Sequence, residues 1–218
     1  MADAGGVSLT SLVRPGMTVA VGDGFGAPRS ASAELSAAAA RCGGIRLILG
    51  WVPRADPDLD FSAFADARTF MPGWGLRHAV DGGDVRFTPA RMSAVPALIH
   101  GPWRPELLVA TVVRADDGFR FGSEVSWQRA AIDAGALVAA VVSGAAPHAD
   151  AGPPLPADRV VVVGETGEPP CVLPEVEPGS AFKAIAALIA PLIEPGARLQ
   201  VGPSPVATAL LRELTDTD

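Results

Sequence analysis

The feature that most constrains this chain is a strand, a glycine loop and a helix in direct succession, read as TVAVGDGFGAPRSASAELSAAAAR. Residues 18–21 are apolar and partly β-branched, which predicts a short buried strand. Residues 22–28 are glycine-rich and predict a tight turn. Residues 30–41 are alanine-rich and predict a helix, with Ser30 or Ser32 as its N-cap. This order directs backbone N–H groups and a helix N-terminus to one point, which suits a phosphate or a carboxylate.

Two interpretations of the glycine loop stay open. Gly22, Gly24 and Gly26 let the backbone approach a ligand without interference from a Cβ atom, which favours an anion site. The same pattern is also typical of a tight strand-to-helix turn that binds nothing. A dinucleotide-binding oxidoreductase is disfavoured, because the spacing is not G-x-G-x-x-G and no acidic residue follows the second strand at the required place.

The composition and charge of the chain argue against some classes of binding partner and favour one cellular compartment. The net charge is −7 and the sequence pI is about 4.9, with a single lysine among 17 basic residues. Nucleic-acid binding needs clustered Lys and Arg, so nucleic acid is not the expected partner. Cys42 and Cys171 are too few for a disulfide framework, which predicts a reducing, cytoplasmic location. We expect no membrane segment and no metal site, because the sequence shows neither a long apolar run nor a His/Cys/Asp cluster.

Aliphatic runs alternate with helical segments along the rest of the chain. Strands are predicted at residues 45–49, 85–89, 107–113, 119–121, 137–142, 160–163 and 199–201. Helices are predicted at residues 8–13, 76–80, 92–99, 126–134, 180–193 and 206–214. Residues 51–69 are rich in Pro and Asp and predict a long surface segment. The alternation predicts an α/β fold with a mainly parallel sheet and flanking helices.

Two loops of the predicted sheet lie at carboxyl ends of strands, where ligands bind in such folds. They are residues 22–29 and 202–205, and each leads into a helix. The flanking sequences PGMTVAVG at 15–22 and PGARLQVG at 195–202 echo each other, which indicates an internal duplication.

Together these motifs resemble the acetyl-CoA hydrolase/transferase family, the family I CoA-transferases that include 4-hydroxybutyrate CoA-transferase. The segment LVRPGMTVAVGDGFGAPRSASAEL is similar to the family's first strand and CoA-side loop, and GWGLRHAVDGG at 73–83 is similar to its next glycine and arginine pattern. The segment VRFTPARMSAVPALIHG at 85–101 matches most closely, through Thr88, Pro89, Ser93, Pro96, Leu98 and Gly101. Residues 105–131 resemble the following block, and residues 195–211 resemble the start of the second half.

The resemblance implies an N-terminal CoA-transferase domain of the NagB/RpiA-like type over residues 1–194, and the start of a second domain over 195–218. It also implies transfer of CoA between carboxylic acids, from acetyl-CoA or a small acyl-CoA, through a glutamyl-CoA thioester. In the family that glutamate lies in the second half, and no residue of this chain aligns with it. We therefore expect a fragment or subunit that has no catalytic residue of its own. It would act with a C-terminal half or a partner subunit, and would self-associate.

Two segments depart from the family pattern. Residues 202–205 read Gly-Pro-Ser-Pro where the family has Gly-Ile-Gly followed by Ile-Pro. Residues 121–126 read Phe-Gly-Ser-Glu-Val-Ser where the family has Phe-Gly-x-Ser-x-Asp. The departures leave transferase and hydrolase open, and they leave a second hypothesis open. That alternative is a non-catalytic module that binds an acyl-CoA or a nucleotide.

The candidate site residues follow from the loops and from the resemblance. Those predicted to contact CoA are Gly22, Gly24, Phe25, Gly26, Pro28 and Arg29. Those predicted to contact the acyl substrate are Gly202, Ser204, Trp74 and Glu124. For Glu124 the alternative is a solvated or ion-paired loop carboxylate, for Arg29 a surface arginine, and for Trp74 a packing residue.

Overall fold

The computed structural model of the chain describes residues 7–122, 124–172 and 177–215. The polypeptide divides into two compact units, Met1–Val172 and Leu173–Asp218. The division predicted from the sequence, after residue 194, stays a prediction. Within the described ranges, no helix has the length and apolar character needed to cross a bilayer.

The first unit is built on a sheet of eight strands. The strands are β1 (Thr18–Val21), β2 (Arg46–Leu49), β3 (Asp66–Thr69), β4 (Arg86–Phe87), β5 (Leu107–Ala115), β6 (Gly118–Arg120), β7 (Leu137–Ser143) and β8 (Val160–Thr166). Its α-helices are α1 (Ser32–Cys42), α2 (Arg77–Asp81), α3 (Val95–His100) and α4 (Gln128–Asp133). The second unit contains α5 (Ser180–Ile189) and α6 (Pro205–Thr215).

In the sheet order β4-β3-β2-β1-β5-β7-β8, the direction in which successive strands are added reverses at β1. All neighbours along this order are parallel, and β6 pairs antiparallel with β5. The chain winds outward from β1 to β4, then returns to β5 on the other side of β1. Ligand crevices of open α/β sheets form at such a switch point, outside the carboxyl ends of the strands. The predicted α/β class and mainly parallel sheet are confirmed, and the glycine loop follows β1 at the switch point.

Alternate residues of the central strands supply two cores, one on each face of the sheet. Val19 and Leu47 pack on one face with Leu35 of α1. Leu108 packs on the other face in a cluster that includes Trp127. Because both faces are covered, the central strands read in the sequence as nearly continuous apolar runs.

Two sequence predictions about strands were wrong. Strand β3 lies inside the stretch predicted to be surface. Of its four residues only Ala67 and Thr69 are buried, and the other two are Asp66 and Arg68. Such a short polar stretch carries almost no strand signal by itself. Conversely, residues 199–201 form no strand. The segment Leu-Gln-Val has only two apolar residues and pairs with no strand of the described residues, so the repeated motif does not repeat the structure.

The prediction that Ser30 or Ser32 caps α1 was also wrong. A 3-10 turn at Arg29–Ala31 leads directly into α1, so Ala31 occupies the N-cap and Ser32 lies in the first turn. The Ser32 hydroxyl instead donates a hydrogen bond to the Asp56 carboxylate at 2.7 Å. The start of α1 is thereby tied to the segment that follows β2.

The second unit contains a helix pair in which the Glu177 carboxylate bonds both helices. Ala186, Ala209 and Leu210 form its small core. Glu177 accepts a hydrogen bond from Lys183 of α5 at 2.7 Å and another from Arg212 of α6 at 2.5 Å. These two bonds lower the pKa of Glu177 to about 2, and the bond from Lys183 has the larger effect.

We expect this carboxylate to make the helix pair sensitive to acid. The folded pKa lies below the ordinary value of 4.5, so the stabilisation is complete above pH 4.5 and is lost as the pH falls towards 2. Carbon-detected NMR of the Glu177 carboxyl should give a midpoint well below 4.5. The midpoint should return towards 4.5 in a K183A/R212A double variant. A midpoint that is the same in both proteins would contradict the assignment.

Candidate binding site at the carboxyl edge of the sheet

The glycine loop comprises residues 22–28. Its first part is anchored to the fold by hydrogen bonds that its own N–H groups donate. The Gly22 N–H donates to the Val109 carbonyl of β5 at 2.8 Å, and the Gly24 N–H donates to the Trp51 carbonyl at 2.9 Å. These two donors are therefore engaged within the protein. They join the loop to the strand on one side of β1 and to the segment after β2 on the other.

The position expected for an anion is held by a carboxylate of the chain itself. The Gly26 N–H donates to Glu124 Oε1 at 3.1 Å. A Cβ atom on Gly24, where φ is +86°, would lie 2.6 Å from Glu124 Cδ, and one on Gly26 would lie 3.0 Å from Glu124 Cγ. Two of the three glycines thus leave room for the Glu124 side chain, which explains the loop's composition without any outside ligand.

The third glycine makes room for Gln128, at the start of α4. A Cβ atom on Gly22 would lie 2.7 Å from Gln128 Oε1. Gln128 is only 1% exposed, and its Nε2 donates to the Glu124 carbonyl at 2.8 Å. Residues 124–128 therefore pack directly onto the glycine loop, with the amide of Gln128 holding the backbone that carries Glu124.

Asp23 is the central polar residue of the site, and the sequence interpretation missed it. It is 5% exposed, and its Oδ2 accepts hydrogen bonds from the Trp51 N–H at 3.1 Å and from Trp127 Nε1 at 2.9 Å. Its Oδ1 accepts a bond from the Ser126 hydroxyl at 2.8 Å. Gly50 is part of the same packing, since a Cβ atom there would lie 2.8 Å from Asp23 Cγ. One buried carboxylate therefore joins three loops: its own, the one after β2 and the one before α4.

A cleft of about 420 Å³ opens beside the second part of the glycine loop. It is lined by residues 25–30 and by the strap, which we define as residues 168–172. The Cys171 N–H donates to the Phe25 carbonyl at 2.8 Å and ties the strap to the loop. Three hydroxyl residues from the sheet also line the cleft, namely Thr111, Ser143 and Thr166.

The two arginines of the cleft differ in what they offer a ligand. Arg29 donates to the carbonyls of Arg54 and Ala55 at 3.0 and 2.8 Å and lies 3.7 Å from the Asp56 carboxylate. Its donors are largely used within the protein. Arg54 is exposed and lines the cleft, and its guanidinium makes no hydrogen bond or ion pair with the residues of the described ranges. Sequence analysis missed Arg54 because it lies in a segment with no motif.

The structure brings most of the predicted residues together at the edge of the sheet. Gly22, Gly24, Phe25, Gly26, Pro28, Arg29 and Glu124 lie on the glycine loop or pack against it. Trp74 lies outside the cleft and contacts Trp51, as described below. Gly202 and Ser204 belong to the second unit, where the Ser204 Oγ accepts the Ala207 N–H at 3.1 Å and caps α6. In the part of the chain that the structure describes, no group of three or more side chains could hold a metal ion.

Comparison with known proteins supports the fold. No protein-family model and no curated protein matches the chain. Among solved structures, RipA from Yersinia pestis matches 95% of this chain with a TM-score of 0.81 and 18% identity. A 4-hydroxybutyrate CoA-transferase from Porphyromonas gingivalis matches 96% with a TM-score of 0.64 and 22% identity, and a malonate decarboxylase alpha subunit from Acinetobacter baumannii matches 96% with 0.59 and 17%.

These matches confirm the predicted resemblance at the level of the fold, which this chain shares with the 4-hydroxybutyrate CoA-transferase. They cover 52%, 51% and 43% of the three solved chains, respectively. The chain therefore spans about half the length of the structures it resembles.

A double-mutant cycle tests the seating of Glu124 on the glycine loop. The G24A variant should expel the Glu124 carboxylate and add the strain of a positive φ, whereas E124A removes the carboxylate alone, at about 1–2 kcal/mol. We expect the double variant to be no less stable than G24A in urea unfolding, because the second change removes a contact already lost. The matched control is G16A, which has a φ of +76° and open space around its Cβ position, and its effect should add to that of E124A. Additive effects of G24A and E124A would contradict the packing.

The Asp23 network makes a separate prediction. In D23N one acceptor oxygen becomes an NH2 donor that faces other donors, so we expect a loss of about 2–4 kcal/mol in the free energy of unfolding. The exposed Asp58 provides the control, and D58N should change stability by less than about 0.5 kcal/mol. Urea unfolding measures both. Equal effects of the two substitutions would show that Asp23 does not hold the three loops together.

Proposed function

We propose that this chain is the CoA-binding half of a CoA-transferase or acyl-CoA hydrolase. The observation that carries the proposal is the match of 96% of the chain to about half of a 4-hydroxybutyrate CoA-transferase, with a cleft at the switch point of the sheet. The attacking glutamate would come from a second half or a partner subunit.

The cleft has the size and chemistry that such a ligand requires. Its volume of about 420 Å³ lies within the usual range for small-molecule sites. The Arg54 guanidinium would pair with a phosphate of CoA through charge-assisted hydrogen bonds. The Ser143 Oγ already accepts the N–H groups of Ala145 and Ala146, which leaves its hydroxyl proton to donate to a carbonyl of the ligand.

In the proposed reaction a glutamate carboxylate attacks the thioester carbonyl of an acyl-CoA, and the carbon–sulfur bond breaks to give a mixed anhydride and a CoA thiolate. The thiolate then attacks the glutamyl carbonyl of the anhydride and expels the acyl group as its carboxylate, which leaves a glutamyl-CoA thioester. A second carboxylate resolves it in a transferase, and water resolves it in a hydrolase. This chain would hold the thioester and donate backbone N–H groups to the oxyanion. The Gly26 N–H could serve only after Glu124 has moved away from it.

One observation favours a second candidate function. Because the Gly26 N–H already donates to Glu124, it cannot donate to a ligand oxyanion while Glu124 stays in place. A module that binds an acyl-CoA or a nucleotide without turning it over would need no oxyanion donor. The two functions differ in whether a protein that contains the second half carries a glutamate that can be trapped as a CoA thioester.

Calorimetric titration with CoA tests the binding role of this chain directly. We expect binding that weakens about tenfold in R54A, through the loss of one charge-assisted contact worth about 1.4 kcal/mol. The control is R46A, at the amino end of β2 and on the opposite edge of the sheet, which should leave the affinity unchanged. Equal affinities in R54A and R46A would contradict the placement of CoA in this cleft.

A separate experiment tests whether the attacking glutamate comes from a second half and not from this chain. The 218-residue chain alone should show negligible transfer between acetyl-CoA and a carboxylic acid. Addition of a second half should restore transfer, and borohydride reduction during turnover should then trap the glutamyl thioester. Transfer by this chain alone would refute that origin of the glutamate, and CoA binding without any trappable glutamate would favour the non-catalytic module.

A further inference from the structure

Three aromatic side chains form a row that leads from the cleft to solvent. Phe25 lines the cleft, and its ring centroid lies 5.0 Å from that of Trp51, at an angle of 80° between the planes. The Trp51 ring lies 6.0 Å from that of Trp74, at 67°. Edge-to-face contacts of this kind are favourable. We call these three residues the aromatic row.

The outer end of the row is exposed, and its main chain is held in place. Trp74 is 57% exposed. Its neighbours are two glycines, and a Cβ atom on Gly73 would lie 2.8 Å from Trp51 Cδ1, while one on Gly75 would lie 2.6 Å from the carbonyl carbon of Arg54. The Gly75 N–H also donates to the Val52 carbonyl at 2.9 Å. Since the backbone on both sides is packed this closely, the main chain that carries Trp74 is held against the segment after β2.

A cation lies beside this apolar surface. The backbone of Arg54 packs against Gly75, next to Trp74, and the Arg54 side chain lines the cleft that Phe25 also lines. In the proposed function Arg54 pairs with a phosphate of CoA, so the acyl group that meets the aromatic row is uncharged and is matched by the rings. An acetyl group offers too little surface to contact more than one ring, whereas an aryl group offers a face and an edge to the row.

We propose that the aromatic row binds the acyl group of the substrate, and that this group carries an aromatic ring. The inference rests on the proposed function and adds the class of acid, an aryl-substituted carboxylic acid. Phe25 would contact the part of the acyl group nearest the thioester, and Trp74 would contact its far end. A rigid, preorganised aromatic surface loses little conformational entropy on binding, so the ring contacts contribute nearly in full to affinity.

The test compares two carboxylic acids on the intact 218-residue chain. Isothermal titration with phenylacetate and with acetate should show phenylacetate binding at least about tenfold more tightly. In W74A the affinity for phenylacetate should fall about five- to tenfold, while that for acetate stays unchanged. W74F keeps a ring and should retain most of the difference. The control is F87A, an aromatic residue that is 46% exposed and lies outside the row, and it should change neither affinity.

The outcomes separate this inference from the proposed function. If CoA binds but phenylacetate binds no better than acetate, or if W74A lowers both affinities equally or neither, the assignment of the row is overturned and CoA binding stands. If phenylacetate binds in a Trp74-dependent way but CoA does not bind, the proposed function fails and the row remains a site for aryl acids.

Discussion

The candidate site depends on one buried charge. Asp23 lies at the carboxyl end of β1 and accepts hydrogen bonds from the Trp51 N–H, the Trp127 indole and the Ser126 hydroxyl. Burial of a carboxylate is costly unless its oxygens are well hydrogen-bonded, and here both are. The three donors belong to two further loops, so solvation of one charge by the protein fixes the glycine loop, the loop after β2 and the loop before α4 relative to one another. Residues 25–28 of the cleft wall and two of the three rings of the aromatic row, Phe25 and Trp51, lie on these loops.

The glycine loop illustrates how side chains from distant parts of a chain shape a local motif. Gly22, Gly24 and Gly26 each face a side chain from the segment 124–128 across a distance that a Cβ atom would close. The loop therefore does bind an anion, but the anion is the Glu124 carboxylate. A ligand oxygen that accepted the Gly26 N–H would have to displace the Glu124 carboxylate. Glu124 therefore lowers the affinity for such a ligand.

Much of the fold, and less of the site, could be predicted from the sequence. The parallel sheet was predictable because strands covered on both faces are apolar along their whole length, as in residues 107–113, and the motif order matched the CoA-transferase pattern. Strand β3 was not, because its two buried residues carry too little signal. Neither Asp23 nor Arg54 was predictable as a site residue. The role of Asp23 arises from partners up to 104 positions away, and that of Arg54 arises from its place in the lining of the cleft. Residues 199–201 show the converse, since Leu-Gln-Val was predicted to be a strand and pairs with none in the described part of the chain.

The central claim is that the cleft beside the glycine loop holds coenzyme A while the attacking carboxylate comes from outside this chain. The most direct measurement is a map of backbone amide chemical shifts of the ¹⁵N-labelled protein during titration with CoA. The account predicts that the largest changes cluster at residues 25–30, around Arg54 and in the strap at 168–172. Changes clustered elsewhere, or the absence of any change at millimolar CoA, would contradict it.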